Sequence, residues 1–441
     1  MTGIEVGILS VVGIVLLIYL GMHVAVVLAV VSFVSLWVFK GRFDLSVTLL
    51  SQAATESISS YVFGVVPLFV LMGLLVSVSD IGKDTFKAAH HFLWKIKGGL
   101  GIATVIANTA FAAVTGISIA SAAVFSKVAV PEMLRLGYKP RFAVGVVAGS
   151  SVLGMLIPPS LLLIVYALIA EQSVGEMFIA GTVPGLMLAS TFCIVIVAMA
   201  RLLPDRVRSQ AVSNPENDPE NDPVTTPEAL RLLLPLVVLI GLVLGGIYGG
   251  FFTPTEAGAA GLMGAFLLAL FRRRLTLANS WEILLQAGQI TASISILIIS
   301  ASVYSRMISI IGLPGNFSVW VHSADLSYFS ILFIYIGLVI FMGTLIDAIS
   351  IILIVIPIFL PLLSGVGATD PVWFGIVTVI AAEIGLLTPP MGLSAYVVKA
   401  SLEDQSISIS DVFSGSVPFI FAMIFVTLLI VAFPQLTRVL L

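Results

Sequence analysis

The sequence predicts an all-α polytopic membrane protein made of two inverted-topology repeats, and three observations carry that expectation. Of its 441 residues, 59% are hydrophobic and only 10% are charged, with a mean hydropathy of +1.18; a soluble domain carries about 25% charged residues. Apolar runs of spanning length recur between charged or Gly/Pro-rich breaks. The motif Gly154-Met-Leu-Ile-Pro158-Pro159 returns 231 positions later as Gly385-Leu-Leu-Thr-Pro389-Pro390, the kind of long-period self-similarity that marks a duplicated unit.

In the first repeat, residues 1–203, spans are expected at 4–20, 24–39, 60–79, 142–170 and 182–203. No Lys or Arg precedes the first apolar run, so it reads as a retained helix rather than a cleaved signal. The stretch 82–98 mixes four lysines with Phe86, Phe92, Leu93, Trp94 and Ile96, the composition of a helix lying in the membrane interface. Residues 204–230 form a polar, acidic linker around the near-repeat Asn-Pro-Glu-Asn-Asp-Pro-Glu-Asn-Asp, which cannot build a core. In the second repeat, residues 231–441, spans recur at 232–248, 253–271, 290–311, 372–400 and 418–437.

Two segments are the wrong length for ordinary crossings. At about 100–134, two limbs flank a break at Val114-Thr115-Gly116-Ile117-Ser118, and at about 330–361 two limbs flank Gly343-Thr344-Leu345-Ile346-Asp347. Each reads as a re-entrant helical hairpin, and the proline pairs interrupt the helices at 142–170 and 372–400. Five true crossings per half is an odd number, so the halves are inverted with respect to the membrane. Lys and Arg accumulate in short cytoplasmic loops; this topology puts 15 of them on one side against Lys40, Arg42, Arg306 and Arg438 on the other, with Lys127 in a hairpin limb. The expected setting is a bacterial inner membrane, with both termini periplasmic and the linker cytoplasmic.

The composition excludes several functions. A net charge of −3 leaves no basic surplus for nucleic acid. One cysteine, Cys193, inside an apolar run, and four scattered histidines supply neither a disulfide framework nor a thiolate metal site. His90-His91 lack a carboxylate at metal spacing, and there is no phosphate-binding loop, so the chain is not expected to be an enzyme, and active transport would draw on an ion gradient.

Broken backbone in hydrocarbon costs several kcal/mol per unsatisfied group and persists only where protein or a polar cavity receives it. The two tips and the breaks at Ile157-Pro158-Pro159-Ser160 and Thr388-Pro389-Pro390-Met391-Gly392 therefore imply a site. Proline frees carbonyls, glycine admits close backbone approach, and hydroxyls add oxygen ligands, a set suited to a small hard cation, with half-helix N-termini left to face an anionic substrate. The alternative is that the proline kinks only shape packing. Asp347, beside a tip, is the leading ionisable candidate, either as a ligand for a cation or proton or as an anchor for the tip amides. Glu383, two residues before Gly385, is expected to orient the Thr388 turn or to ligate directly. Glu132 and Glu256 read as caps or loop anchors, Lys127 and Arg306 as snorkelling side chains, and His23 as structural.

Phe111-Ala-Ala-Val-Thr-Gly116-Ile-Ser118-Ile-Ala-Ser121, Val130-Pro-Glu-Met133, Gly154-Met-Leu-Ile-Pro-Pro-Ser160, Gly246-Ile-Tyr-Gly-Gly-Phe-Phe-Thr-Pro-Thr-Glu256 and Gly385-Leu-Leu-Thr-Pro-Pro-Met-Gly392 together resemble the large membrane subunit of the tripartite ATP-independent periplasmic (TRAP) transporters. The resemblance covers nearly the whole chain. It implies an elevator mechanism in which a scaffold supports a moving body, and a secondary active importer working with a small four-helix membrane subunit and a periplasmic substrate-binding protein. It also implies sodium coupling and a small organic solute, commonly carboxylate-bearing anions such as C4-dicarboxylates or sialic acid, with some zwitterionic solutes as exceptions. Carried onto this chain, the ion and substrate ligands would be Thr115, Gly116, Ser118 and Ser121 with Pro158, Pro159 and Ser160, and Gly343, Thr344 and Asp347 with Thr388, Pro389, Pro390 and Met391, supported by Gly154, Glu383 and Gly385. No cofactor beyond Na+ is implied. The linker is longer and more acidic than the family pattern suggests. A stand-alone Na+- or H+-coupled organic anion symporter is the alternative reading, and a membrane scaffold or intramembrane enzyme a more distant one.

Overall fold

The computed structural model describes residues 2–208, 225–323, 327–367, 369–402, 404 and 406–441, and it is built from helices. Two 17-residue helices open the chain, α1 (Gly3–Tyr19) and α2 (Val24–Lys40). Thr2 and Glu5 cap α1 reciprocally, and left-handed Gly41 closes α2, which satisfies end groups that a helix cannot pair internally. Then comes α3 (Phe43–Ser59), where the sequence reading placed no helix. Its buried and half-buried residues, Leu45, Ser46, Leu49, Leu50, Ala53 and Ala54, recur at helical spacing.

A 3₁₀ turn at Tyr61–Gly64 leads into α4 (Val65–Val78), and the chain turns a corner at Asp80 into α5 (Ile81–Leu93). This helix covers most of the stretch 82–98 and is amphipathic: Ile81, Gly82, Thr85, Phe86 and Ala89 are buried while Lys83 and Lys87 stay exposed. Two helices then fold back on each other, α6 (Gly99–Thr115) and α7 (Ser118–Arg135). The interrupted helix follows as α8 (Pro140–Ser151), the single turn α9 (Leu153–Leu156) and α10 (Leu161–Ile169), bent by 41° at its break. The 29-residue α11 (Val174–Leu202) and the turn α12 (Pro204–Val207) complete this part.

After the linker, α13 (Thr226–Ile240) continues through a π turn at Gly241–Gly245 into α14 (Gly246–Tyr248). The linker thus ends earlier than its expected boundary at 230, because Thr225-Thr226-Pro227-Glu228 places proline and an acid in a first helical turn. Residues 209–224 of the linker lie outside the described residues. Next come α15 (Pro254–Phe271) and the 35-residue α16 (Leu277–Ile311), whose first third was also read as loop, and then α17 (Leu313–Ser323). A second helical pair, α18 (Tyr328–Gly343) and α19 (Ala348–Val366), is followed by α20 (Pro371–Leu387), α21 (Leu393–Ser401) and α22 (Ile409–Ala432). α19 is longer than the limb read from sequence, since Pro357 and Pro361 are carried inside it.

Among the described residues, seven helices are long and apolar enough to cross a membrane, or eight if the bent α8–α10 segment is one span. The protein is therefore a multi-pass membrane protein. The shorter α1 and α2 match the expected spans at 4–20 and 24–39 in position. α2, α3, α4, α15 and α16 pack as one group, with a methyl on Gly261 of α15 meeting Met72 Sδ of α4 at 2.5 Å. The helical pairs, the interrupted helices, α11 and α22 make a second group. Its closest crossing is α8 on α22, where a Cβ on Gly145 would lie 2.3 Å from the Gly415 carbonyl oxygen. The corner at Asp80 is tied to the end of α15: Arg272 donates to the Ser79 carbonyl at 2.9 Å and pairs with Asp84, while Arg274 pairs with Asp80.

Candidate functional site

Each helical tip touches a helix break through one backbone hydrogen bond. At the first tip, α6 ends in Thr115, Gly116 adopts the left-handed conformation (φ 65), and α7 begins at Ser118. The Gly116 carbonyl accepts from the Leu161 amide, the first residue of α10, at 3.1 Å. Glycine is required there twice over. Positive φ strains any L side chain, and an added Cβ would lie 2.4 Å from the Pro159 carbonyl oxygen. Gly154 plays the matching part on α9, where a Cβ would meet Ile117 C and Ser118 N at 3.1 Å.

The donors and acceptors around this contact are unevenly used. Pro158 and Pro159 offer no N–H to Gly154 and Met155, their i−4 carbonyls; the Ser160 hydroxyl takes the Met155 carbonyl and accepts from the Leu163 amide at 3.3 Å, capping α10. Thr115 Oγ1 donates to the Phe111 carbonyl at 3.1 Å. Ser118 and Ser121, one turn apart on α7, are buried, and neither hydroxyl has a partner. An unpaired buried hydroxyl costs about 1–3 kcal/mol. The two lie on one face of α7, three residues apart, at the helix end that meets the break.

At the second tip, the Thr344 carbonyl accepts from the Met391 amide at 3.1 Å, just past the second proline pair. Here α18 and α20 meet backbone to backbone: a Cβ on Gly343 would lie 2.8 Å from Gly385 Cα, and one on Gly385 would lie 2.5 Å from Gly343 Cα. Thr344 and Thr388 turn their hydroxyls onto the Phe341 and Ile384 carbonyls at 2.8 and 2.7 Å. The Asp347 carboxylate caps α19, accepting from the Ser350 amide at 3.0 Å and its hydroxyl at 2.5 Å. The anchoring half of the expectation for Asp347 is thus the one observed. Pro389, Pro390 and Met391 are exposed, whereas Pro158, Pro159 and Ser160 are buried.

Glu383, expected to orient the Thr388 turn or to ligate directly, is buried, and among the described residues neither carboxyl oxygen has a hydrogen-bond partner, so no bond joins it to that turn. Glu256 is a cap, bonded reciprocally with Thr253, and Glu132 pairs with Arg135 at 2.7 Å. Arg306 is paired with Glu56 of α3 rather than free. Lys127 is exposed. Among the described residues, no three His, Cys, Asp or Glu side chains cluster in a way that would hold a metal ion; His90, on α5, has its pKa lowered by burial, opposed by nearby Glu132. Sequence reasoning missed the cavity that Glu56, Glu171 and Arg306 share, because its walls come from three remote segments.

Residues 11–436 match the family described as "Tripartite ATP-independent periplasmic transporter, DctM component". This chain belongs to that family. It is 32% identical to the C4-dicarboxylate TRAP transporter large permease protein DctM of Pseudomonas aeruginosa, over 80% of this chain and 81% of that one. It is 31% identical to the ectoine TRAP transporter large permease protein TeaC of Halomonas elongata, over 95% of each. Among solved structures it shares its fold with the YdaH transporter of Alcanivorax borkumensis, at a TM-score of 0.50 and 15% identity, covering 84% of this chain and 86% of that one. As a DctM component it is a transporter subunit and not an enzyme.

Proposed function

We propose that this DctM component is the membrane-crossing large permease of a sodium-driven importer, which takes a small carboxylate-bearing solute from a periplasmic binding protein and moves it by an elevator motion. The observation that carries the reading is the pair of tip-to-break hydrogen bonds, Gly116 O to Leu161 N and Thr344 O to Met391 N, at 3.1 Å each. Two half-helix N-termini, two hydroxyl-bearing tips and proline-freed carbonyls converge there. In this reading residues 1–203 and 231–441 are inverted repeats and the helical pairs are re-entrant. The second helical group is the moving body, and α2, α3, α4, α15 and α16 belong to the scaffold. Both termini are periplasmic and the linker is cytoplasmic. Sodium sits at the first contact, among Thr115, Gly116, Ser118, Ser121 and the carbonyls around Pro158, Pro159 and Ser160, and at the second, among Gly343, Thr344, Asp347, Thr388, Pro389, Pro390 and Met391. A small four-helix membrane subunit completes the complex against the lipid-facing scaffold.

The test is uptake in proteoliposomes holding this chain and its small subunit, with solute-loaded binding protein, under a sodium and then a proton gradient. Uptake that requires both sodium and the binding protein is expected. Uptake without the binding protein would establish a stand-alone symporter, and proton-only uptake would remove sodium from both contacts.

A further inference from the structure

A cavity of about 250 Å³ lies where the ends of α3 and α10 meet α16, away from both tips. At about 30 Å³ per water it has room for some eight waters or a solute of that bulk. Its polar wall carries Arg306, Glu56, Glu171, Ser60, Ser302 and Ser305. Glu56 is ion-paired with Arg306 across α3 and α16. Among the described residues, the Glu171 carboxylate and the hydroxyls of Ser60, Ser302 and Ser305 have no protein partner.

Glu171 is also in an unusual place. It follows α10 in the left-handed conformation, φ 54, a helix-end position that glycine or asparagine normally fills. Among the described residues, the other two non-glycine residues with positive φ are Asp80 and Arg273, at the ends of α4 and α15. Asp80 is held by Arg274. No bond holds the Glu171 side chain, so its carboxylate is available to whatever occupies the cavity.

The charges select the occupant. The wall has one guanidinium and two carboxylates, so a dianion would meet net negative charge, and a simple cation would leave the guanidinium fork and three hydroxyls unused. A small zwitterion satisfies both ends: its carboxylate displaces Glu56 on the Arg306 fork and accepts from the serines, while its positive centre lies against Glu171 and Glu56. The cavity lies at the far end of α10 from the first contact, and the nine residues of that helix rise about 13 Å from the break at Ser160. Resting on the transporter reading above, we propose that this cavity is an antechamber that holds a small zwitterionic solute before it reaches the tips.

The test uses the one native cysteine, Cys193. In the purified complex of this chain with its small subunit, C193A/S302C is labelled with a soluble maleimide in the presence of trimethylglycine, succinate or choline. Trimethylglycine at about twice its Kd is expected to slow labelling about threefold by mass action, with succinate and choline without effect. E171Q, on an exposed turn, should abolish the protection while leaving the unprotected labelling rate unchanged, which shows that the fold survives; R306Q should do the same where it folds. Equal protection by succinate, or protection by none of the three, overturns the proposal. Protection that persists while binding-protein-dependent uptake fails for every solute would sink the transporter reading and leave the site standing.

Discussion

The two tip-to-break contacts use one backbone device with different linings. In the first, Ser160 caps α10, Gly116 is left-handed, two hydroxyls are unpartnered and the proline pair is buried. In the second, left-handed Gly392 precedes α21 with no side-chain cap, the tip hydroxyls are spent on carbonyls, Asp347 caps α19, and the proline pair is exposed. The first contact therefore holds spare ligands inside protein, and the second keeps its own satisfied beside an open surface. A shared sequence pattern fixes where the backbone breaks, and the surroundings decide what the break can bind.

Five variants test that difference. Gly116→Ala should have the largest effect, combining about 1–2 kcal/mol of left-handed strain with about 1–3 kcal/mol of overpacking against the Pro159 carbonyl. Thermal unfolding of the purified complex should drop markedly and uptake should vanish; an unchanged melting profile would mean that the first contact is not as tight as the Cβ distance indicates. Replacing Ser118 and Ser121 together by alanine separates binding from folding. These hydroxyls are buried and bond nothing in the protein, so without sodium the variant should be no less stable than the parent, and more stable as the cost of two unpaired hydroxyls is removed, while the sodium concentration for half-maximal uptake rises about tenfold, the equivalent of about 1.4 kcal/mol of lost ligation. Normal sodium dependence would leave the first contact without its ion.

Asp347→Ala should show the reverse emphasis, losing about 1 kcal/mol of stability with the α19 cap. Asp347→Asn keeps a capping oxygen, so it should recover most of that loss; if uptake stays low in Asn while stability returns, the carboxylate charge itself serves transport. The smallest effect is expected at Met391→Ala. Its side chain is 57% exposed and the contact with Thr344 uses its amide, so stability and uptake should both stay close to the parent, with a stability change under about 0.5 kcal/mol. A large loss of uptake would make the Met391 side chain part of the solute path.

Much of this was legible because hydrophobic runs and proline pairs are local signals. The expected spans fall on helices, and the breaks fall at Pro158-Pro159 and Pro389-Pro390, since a helix cannot pass a residue that lacks its N–H without losing a bond. What escaped was polar helix. α3 and the first third of α16 carry Ser, Thr, Gln and Glu at levels that read as loop, although Leu45, Leu49 and Ala53 keep helical spacing. The cap of α19 was half visible, in Asp347 followed three residues later by Ser350. The unpartnered burial of Glu383 and the shared cavity of Glu56, Glu171 and Arg306 were not visible, because both depend on which distant helices meet.

The glycine crossing of α8 and α22 bears on where the molecule can shear. With an added Cβ on Gly145 reaching the Gly415 carbonyl and one on Gly415 lying 2.1 Å from the Arg141 carbonyl oxygen, the two backbones are interlocked like the teeth of a closed zip. Teeth in that position cannot slip by fractions of a turn, because every intermediate register drives atom into atom. α8 and α22 are thus held in one register, and relative displacement of helices is easier along seams where side chains face side chains with room to spare. The boundary between α10 and α16, with its cavity of about 250 Å³ and the unpartnered Glu171 carboxylate, has those properties.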